Sequence, residues 1–116
     1  MFPGFATALS GIQAGGRILG VGAHNIANAQ TENFKRTQAT LEESSAGGVI
    51  VSLTKDHRPG PQFTTGEDPF TLREGSNVEL EEELIHTLEA SHLIQANLAS
   101  IRTQNKVLGS LLDIIK

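Results

Sequence analysis

The sequence contains no cysteine, no tryptophan and no tyrosine, and its only aromatic side chains are five phenylalanines among 116 residues. The missing cysteines exclude disulfide bonds and thiol catalysis. The shortage of large aromatic side chains leaves few anchors for a globular core. The composition therefore predicts an elongated chain, or one that partner molecules complete.

Positive charge and long apolar runs are also scarce. The formal net charge is −4, whereas nucleic-acid-binding domains usually carry a basic patch, so no nucleic-acid partner is expected. No apolar run approaches the roughly 20 residues of a membrane span. No basic-then-apolar signal peptide is visible either. We therefore expect a cytosolic chain, or one that is exported without a cleaved signal.

A search for reaction chemistry yields no catalytic, cofactor-binding or metal-binding residues. His86 and His92 are six positions apart, so they lie on different helix faces, whereas a zinc pair on a helix needs a spacing of three or four. The run Glu81–Glu83 is typical of a solvated helix start. The glycine-rich stretch lacks the lysine of a phosphate-binding loop. We predict that the protein is not an enzyme. A metal-dependent enzyme using the histidines and glutamates stays an alternative, and it would require bound metal.

The first segment, residues 1–36, predicts a weak helix that ends in a turn. Over residues 5–27, apolar or small side chains repeat at the 4-3 spacing of a coiled-coil seam: Phe5, Leu9, Ile12, Gly16, Leu19, Ala23 and Ile26. Five interspersed glycines each cost about 1 kcal/mol in a helix: Gly11, Gly15, Gly16, Gly20 and Gly22. Such glycines let another backbone approach closely. A flexible glycine-rich tail is the alternative interpretation.

The middle segment, residues 37–75, predicts a linker followed by a small irregular β element. The sequence SSAGG at residues 44–48 is typical of a linker. The β-branched run from Val49 to Leu53 predicts a short strand. Three turn clusters follow it, so we expect two or three short strands within residues 44–75.

The last segment, residues 76–116, predicts a long helix. Ser76 and Glu79 have the spacing of a capping box. Large apolar side chains then recur at 4-3 spacing through Leu84, Leu98 and Leu112. The predicted fold class is mainly α, with two long terminal helices packed along these seams as an antiparallel coiled-coil-like pair. Because the carboxyl helix is the longer one, it must bury its excess length against another surface.

Both chain ends are similar to signature segments of the bacterial flagellar axial proteins, the rod and hook family. The amino-terminal match is carried by Ser10–Gly11, Asn25–Ala29, Thr31 and Phe34–Arg36. The carboxyl-terminal match is carried by Ser76, Asn77, Val78, Leu80, Glu82, Glu83, Ala90, Ala96, Asn97, Ile101, Thr103, Leu108, Gly109, Leu111, Leu112 and Ile114. Together the two segments cover roughly residues 6–36 and 76–115 in the family's order.

Three positions depart from the family pattern. His24 replaces an asparagine, Asn33 replaces a turn glycine, and Ile94 replaces an aromatic residue. Asparagine tolerates left-handed backbone, so Asn33 can still form the turn. The segment between the two signatures is short, about 35 residues by the sequence, and resembles that of the small proximal-rod type.

The resemblance implies a structural subunit of the flagellar basal-body rod, a component of the motility apparatus. Such a subunit would leave the cell unfolded through the type III export channel, without a cleaved signal peptide, and assemble in the periplasm with other rod subunits, the same and different. Residues 1–30 would be least stable alone and order on assembly. The alternative is a non-polymerising rod-derived adaptor or coiled-coil binding module. The residues expected to serve assembly and packing are Leu9, Ile12, Leu19, Asn25, Ile26, Asn28, Phe34, Asn77, Val78, Leu84, Asn97, Leu98, Ile101, Leu108 and Leu112.

Overall fold

The computed structural model describes residues 3–115, so Met1, Phe2 and Lys116 of the predicted terminal segments lie outside it. Two helices flank two β-hairpins in chain order. The elements are α1 (Pro3–Ala27), β1 (Thr37–Glu43), β2 (Val49–Lys55), β3 (Gln62–Thr65), β4 (Asp68–Glu74) and α2 (Leu80–Ile114). The prediction of two terminal helices that pack on each other is confirmed, and helices make up about half of the chain.

Helix α1 begins at Pro3 and ends at Ala27, close to the predicted limits. Proline suits the first helical turn because its missing N–H would have no partner there. Beyond the helix, Asn33 has a φ angle of 57°, the left-handed conformation that asparagine tolerates. The turn brings the Phe34 ring back against His24, with ring centroids 5.5 Å apart in an edge-on arrangement. The predicted helix stop is therefore confirmed.

Strands β1 and β2 form an antiparallel hairpin, hairpin 1, with Thr37 paired to Lys55 and Glu43 paired to Val49. The prediction of a linker at residues 44–48 is wrong, because these residues form the turn of this hairpin. Gly47 and Gly48 both adopt a φ of 86°, which favours glycine. Strand β1 was not predicted, since its sequence TQATLEE lacks a β-branched run. It is a strand because β2 supplies its hydrogen-bonding partner.

Strands β3 and β4 form a second antiparallel hairpin, hairpin 2, with Phe63 paired to Arg73 and an irregularity between Thr64 and Thr65. The described residues thus form four strands in two separate sheets. Three of them, β2, β3 and β4, lie within residues 44–75, so the expectation of two or three strands there is confirmed, and β1 is the additional strand. Hairpin 1 packs along α1, whereas hairpin 2 makes no close approach to either helix within the described chain. Hairpin 2 therefore projects from the body of the molecule.

Helix α2 begins at Leu80 without a capping box. Glu79 occupies the N-cap position in extended conformation and makes no side-chain capping hydrogen bond. The Ser76 hydroxyl instead accepts a hydrogen bond from the Val78 N–H at 3.2 Å. The predicted capping box is therefore wrong, because residues 76–79 form an extended entry to the helix. The negative charges of Glu81–Glu83 in the first turn stabilise α2, because they lie at the positive end of the helix dipole.

The two helices run antiparallel and meet through small residues. A side-chain carbon at Gly4 would lie 3.2 Å from Gln104, and one at Gly22 would lie 3.0 Å from Thr87. The buried residues of α1 are Ala8, Gly11, Ala14, Gly15, Gly22 and Asn25. Glycine permits the close approach at Gly11, Gly15 and Gly22, but the space beside Gly16 and Gly20 is open. The predicted role of the glycines therefore holds for only some of them.

The predicted seam is wrong in register for its leucine row, although Thr87 and Ile94, which occupy 4-3 positions of α2, do lie against Gly22 and Gly15. Leu98, expected between the helices, keeps 39 % of its surface exposed, and Leu9, Leu84 and Leu112 are exposed as well. The contacting row of α1 runs through Gly4, Gly11 and Gly15, each one residue before a position of the predicted row. One residue turns a helix by about 100°. The 4-3 pattern of large side chains identified a genuine apolar stripe on each helix. The helices meet instead along the neighbouring stripe, where small residues allow a shorter interhelical distance.

The molecule is long and thin, as the composition predicted. Its extents are 81 × 24 × 13 Å and its radius of gyration is 20.8 Å, whereas a compact domain of this length would measure about 13 Å. The only buried large or small hydrophobic residues among those described are Ala8, Ala14 and Ala90. Neither helix in the described range is long and apolar enough to cross a membrane.

Candidate functional site

A buried polar cluster, which we call the polar joint, lies where the turn after α1, the base of hairpin 1 and the start of α2 meet. Its six members carry charged or amide side chains, namely Asn25, Arg36, Asp56, Asn77, Glu82 and Glu83. No buried side-chain nitrogen or oxygen in the described chain lacks a hydrogen-bond partner. The joint therefore satisfies its polar groups internally, as a buried polar network must.

Arg36 is the central cation of the polar joint and is almost wholly buried. Its guanidinium donates two hydrogen bonds to Glu82, at 2.5 and 3.0 Å, the fork geometry that favours arginine over lysine. It also donates to the Asp56 carboxylate at 3.2 Å, and it lies 3.8 Å from the Glu83 carboxylate. One side chain thus ties the end of β2 to the first turn of α2.

Asn25 joins α1 to both neighbouring elements. Its carboxamide donates to the Thr37 carbonyl at 2.8 Å, and its oxygen accepts from the Thr37 N–H at 3.0 Å. The same carboxamide donates to Glu83 at 3.0 Å. The side chain therefore takes the place of a neighbouring strand at the start of β1. Asn25 is fully buried because it sits between the two helices.

Asn77 plays the corresponding part on the other side of the joint. Its oxygen accepts from the Arg36 N–H at 2.7 Å. Its nitrogen donates to the carbonyls of Asp56 and Arg58, at 2.8 and 3.0 Å. Asn77 thus fixes the extended entry to α2 against the base of hairpin 1. The two asparagines of the joint bind chiefly backbone groups, whereas the ion pairs of the joint connect side chains.

The cations around the joint stabilise the charged form of its carboxylates. Hydrogen bonds from Arg58, joined by one from Arg36, lower the pKa of Asp56 below its ordinary value. The hydrogen bonds from Arg36 lower the pKa of Glu82, and the ion pair with Lys35 lowers that of Glu74. The pKa of the Arg36 guanidinium is raised, chiefly by its hydrogen bonds to Glu82.

These lowered pKa values predict acid-sensitive stability. The carboxylates contribute stability above their unfolded pKa of about 4, and the contribution disappears as pH falls through the lower folded values. We expect the free energy of unfolding, measured by urea titration with circular dichroism, to change little from pH 7 to about 5 and to fall steeply below about 4. A molecule as stable at pH 3 as at pH 7 would contradict this ionic description of the joint.

An uncovered apolar surface, the apolar face, runs along the helix pair on the side opposite hairpin 1. Hairpin 1 occupies the other side, where the Ser10 hydroxyl accepts from the Val49 N–H at 3.1 Å. Since the helices are antiparallel, the large-residue stripes of both helices turn toward this same side. The apolar face consists of Phe5, Leu9, Ile12 and Leu19 of α1 and Leu80, Leu84, Leu88 and Leu98 of α2.

The carboxyl end of α2 is a second uncovered surface. The start of α1 lies beside Gln104, so the last turns of α2 extend beyond any helical partner in the described chain. Its large apolar side chains there are more than half exposed: Val107, Leu111, Leu112, Ile114 and Ile115. The expectation that α2 carries more apolar surface than α1 can cover agrees with this exposure. No part of residues 3–115 covers it.

The structure distributes the sequence-predicted assembly residues over three environments. Asn25 and Asn77 lie in the polar joint. Partly buried positions hold Ile12, Leu19, Ile26, Asn28, Phe34, Val78, Asn97, Ile101 and Leu108. Leu9, Leu84 and Leu98 belong to the apolar face, and Leu112 belongs to the exposed end of α2.

Sequence reasoning did not select Arg36, Asp56, Glu82 or Glu83 as site residues. Arg36, Glu82 and Glu83 lie within the two segments that carry the family resemblance, which was an available signal. Asp56 lies in the middle segment and had no such signal.

The polar joint connects α1, hairpin 1 and α2 to one another, and the apolar surfaces are left uncovered by the described chain. Within residues 3–115, no group of three or more His, Cys, Asp or Glu side chains is placed to hold a metal ion. The features that the structure does supply are a rigid polar joint and extended apolar surfaces. Neither protein-family models nor curated protein sequences match this chain.

Proposed function

We propose that this chain is a structural subunit of the bacterial flagellar basal-body rod, which assembles helically through its paired terminal helices. The observation that carries the proposal is the apolar face together with the exposed end of α2. Leu88 is 61 % exposed and Leu112 is 66 % exposed. Contiguous apolar surface of this kind marks an interaction site in a soluble protein. A subunit that packs against copies of itself and related subunits would cover it.

The resemblance to the flagellar axial family supports the proposal through the polar joint. The two matching segments lie at opposite ends of the sequence, yet Asn25 and Arg36 of the first bind Glu82 and Glu83 of the second. The family signature thus coincides with the groups that hold the two helices together. The helix pair, with its 4-3 stripes, is the coiled-coil-like unit that we propose to pack in the rod.

The proposal predicts that a charge on the apolar face blocks assembly without unfolding the subunit. Leu84 is 56 % exposed, so Leu84→Asp should leave the melting temperature of the monomer within a few degrees of the parent. In a polymer the same carboxylate would be buried without a partner, which costs several kcal/mol per contact. Concentrated parent protein should sediment as filaments or large oligomers, and the variant should stay in the supernatant.

Ser100→Asp is the matched control, because Ser100 is exposed on α2 away from the apolar face. It should sediment like the parent. Equal sedimentation of Leu84→Asp and the parent would contradict the assigned face. A parent that stays monomeric at high concentration, with strong amide-exchange protection of α1, would instead favour the rod-derived adaptor that never polymerises.

A further inference from the structure

The outer edge of β1 carries free backbone hydrogen-bonding groups. The Arg36 carbonyl accepts from the Asp56 N–H, and the Ser44 N–H donates to the Gly48 carbonyl, so the even-numbered residues of β1 bond to β2. The odd-numbered residues point outward. Asn25 occupies the outward groups of Thr37. Ala39 and Leu41 have no such partner within the described chain.

This free edge borders an apolar groove between hairpin 1 and α2. The groove has a volume of about 440 Å³ and is lined chiefly by Ile18, Ala39, Leu41, Ala90 and Leu93. No Cα atom of β1 comes within 8 Å of one in α2. An extended segment could therefore lie beside β1 with every second side chain in the groove.

Strand β4 of hairpin 2 has the complementary edge. The Gly75 N–H donates to the Pro61 carbonyl, so the backbone groups of Glu74 and Leu72 point away from β3. Phe70 lies in the irregular stretch between Leu72 and Asp68, which pairs with no residue of β3. The Glu74 carbonyl is occupied by the Asn33 N–H, and the Phe70 N–H by Asp68. The outward groups of Leu72 and the Phe70 carbonyl are free among the described residues. Phe70 is 94 % exposed and Leu72 is 65 % exposed.

We propose that β4 of a second copy of this chain adds antiparallel to β1, with Leu72 opposite Ala39 and Phe70 opposite Leu41. In this register Thr37 and Glu74 lie opposite each other at one end of the paired segment. Their outward backbone groups are already bonded to Asn25 and Asn33 within each subunit. Residues directly opposite in a sheet share a face. The partner's Leu72 and Phe70 then enter the groove.

Addition of β4 to β1 enlarges two small sheets and covers a free strand edge. Two separate two-stranded sheets, each marginal alone, become one four-stranded antiparallel sheet. The edge of β1, which would otherwise invite unregulated pairing, is covered. Because the donor strand β4 and the acceptor strand β1 differ, the contact is heterologous, and it extends into a helical filament where the rotation between subunits does not close a ring. The inference rests on the proposed function for its partner, a neighbouring subunit, and names a second contact between subunits.

Directed disulfide cross-linking tests the register, because the chain has no cysteine of its own. Cα atoms of a directly opposed pair are about 5.5 Å apart, within disulfide range. We expect a mixture of Ala39→Cys and Leu72→Cys proteins, oxidised with glutathione disulfide, to yield a cross-linked heterodimer on non-reducing gels. The yield of this heterodimer should exceed the yield from the control mixture by about tenfold or more. Pairing of β1 with β4 raises the effective concentration of one thiol near the other.

The control mixture combines Leu72→Cys with Leu53→Cys, which lies on β2 of the same hairpin and is more exposed than Ala39. Circular dichroism checks that all three variants are folded. Cross-linking of Ala39→Cys to itself would indicate closed pairing of two β1 strands and would overturn the proposal, as would equal yields in the two mixtures. Sedimentation of the unoxidised parent reports the proposed function separately, so filaments without the 39–72 cross-link would refute only this strand addition.

Discussion

Replacement of Arg36 by methionine is expected to lower the free energy of unfolding by about 3 kcal/mol, toward the low end of the range for breaking a buried ion pair. Methionine has similar length but no charge, so the change would leave Glu83 buried without its cation. The loss is moderated because Asn25 still donates to Glu83 and Arg58 still pairs with Asp56. Urea titration of both proteins at neutral pH measures the difference.

Arg73→Met is the matched control for this experiment. Arg73 pairs with Glu32 at 3.2 Å, but both side chains are more than two-fifths exposed. Exposed pairs contribute about 0–1 kcal/mol. If the two arginine variants lose the same small amount of stability, the polar joint does not hold the two helices together. A destabilised Arg36→Met protein should also lose part of the acid sensitivity of the parent.

Gly15→Ala is expected to destabilise the helix pair by roughly 1–3 kcal/mol, the usual cost of forcing extra volume into a packed interface. An added side-chain carbon at this position would lie 2.5 Å from Cγ1 of Ile94 and 3.1 Å from the Ala90 carbonyl. The backbone contact cannot be relieved by a rotamer change, so the helices must separate. Urea unfolding followed by circular dichroism would register the loss.

Gly16→Ala should have the opposite effect, although the two glycines are adjacent. Nothing lies within 4 Å of the carbon that alanine would add at Gly16. The substitution should therefore stabilise α1 by up to about 1 kcal/mol, the difference in helix propensity between alanine and glycine. A stabilised Gly15→Ala protein, or equal effects at both positions, would contradict the observed face of contact.

The helices were predictable because their signals are local. Pro3 suits a first helical turn, and the asparagine-rich segment ends α1 as expected. The strand from Val49 onward follows from its β-branched residues. Strand β1 was missed because TQATLEE has weak intrinsic preference and owes its conformation to β2. The Ser76–Glu79 spacing predicted a capping box that does not form, because the chain enters α2 in extended conformation.

The helix register and the polar joint required tertiary information. Counting large apolar residues favours the row of Leu9, Leu84 and Leu98, but the helices meet where side chains are smallest. Periodicity alone cannot distinguish a stripe that faces the partner helix from one that faces outward. The pairing of Arg36 with Asp56 and Glu82 joins distant parts of the chain, and no spacing rule in a single sequence links them.

The antiparallel meeting of the first and last elements also constrains the kinetics of folding. Gly4 lies beside Gln104, and Gly22 lies beside Thr87 and Glu83, so these interhelical contacts join residues separated by more than half of the chain. Contacts between residues so far apart in the sequence form slowly, because a long loop must close before any of them stabilises the molecule. On the ribosome, the partner surface of α1 is synthesised after both hairpins. A nascent chain can therefore complete its hairpins, but it cannot assemble the helix pair until α2 has emerged.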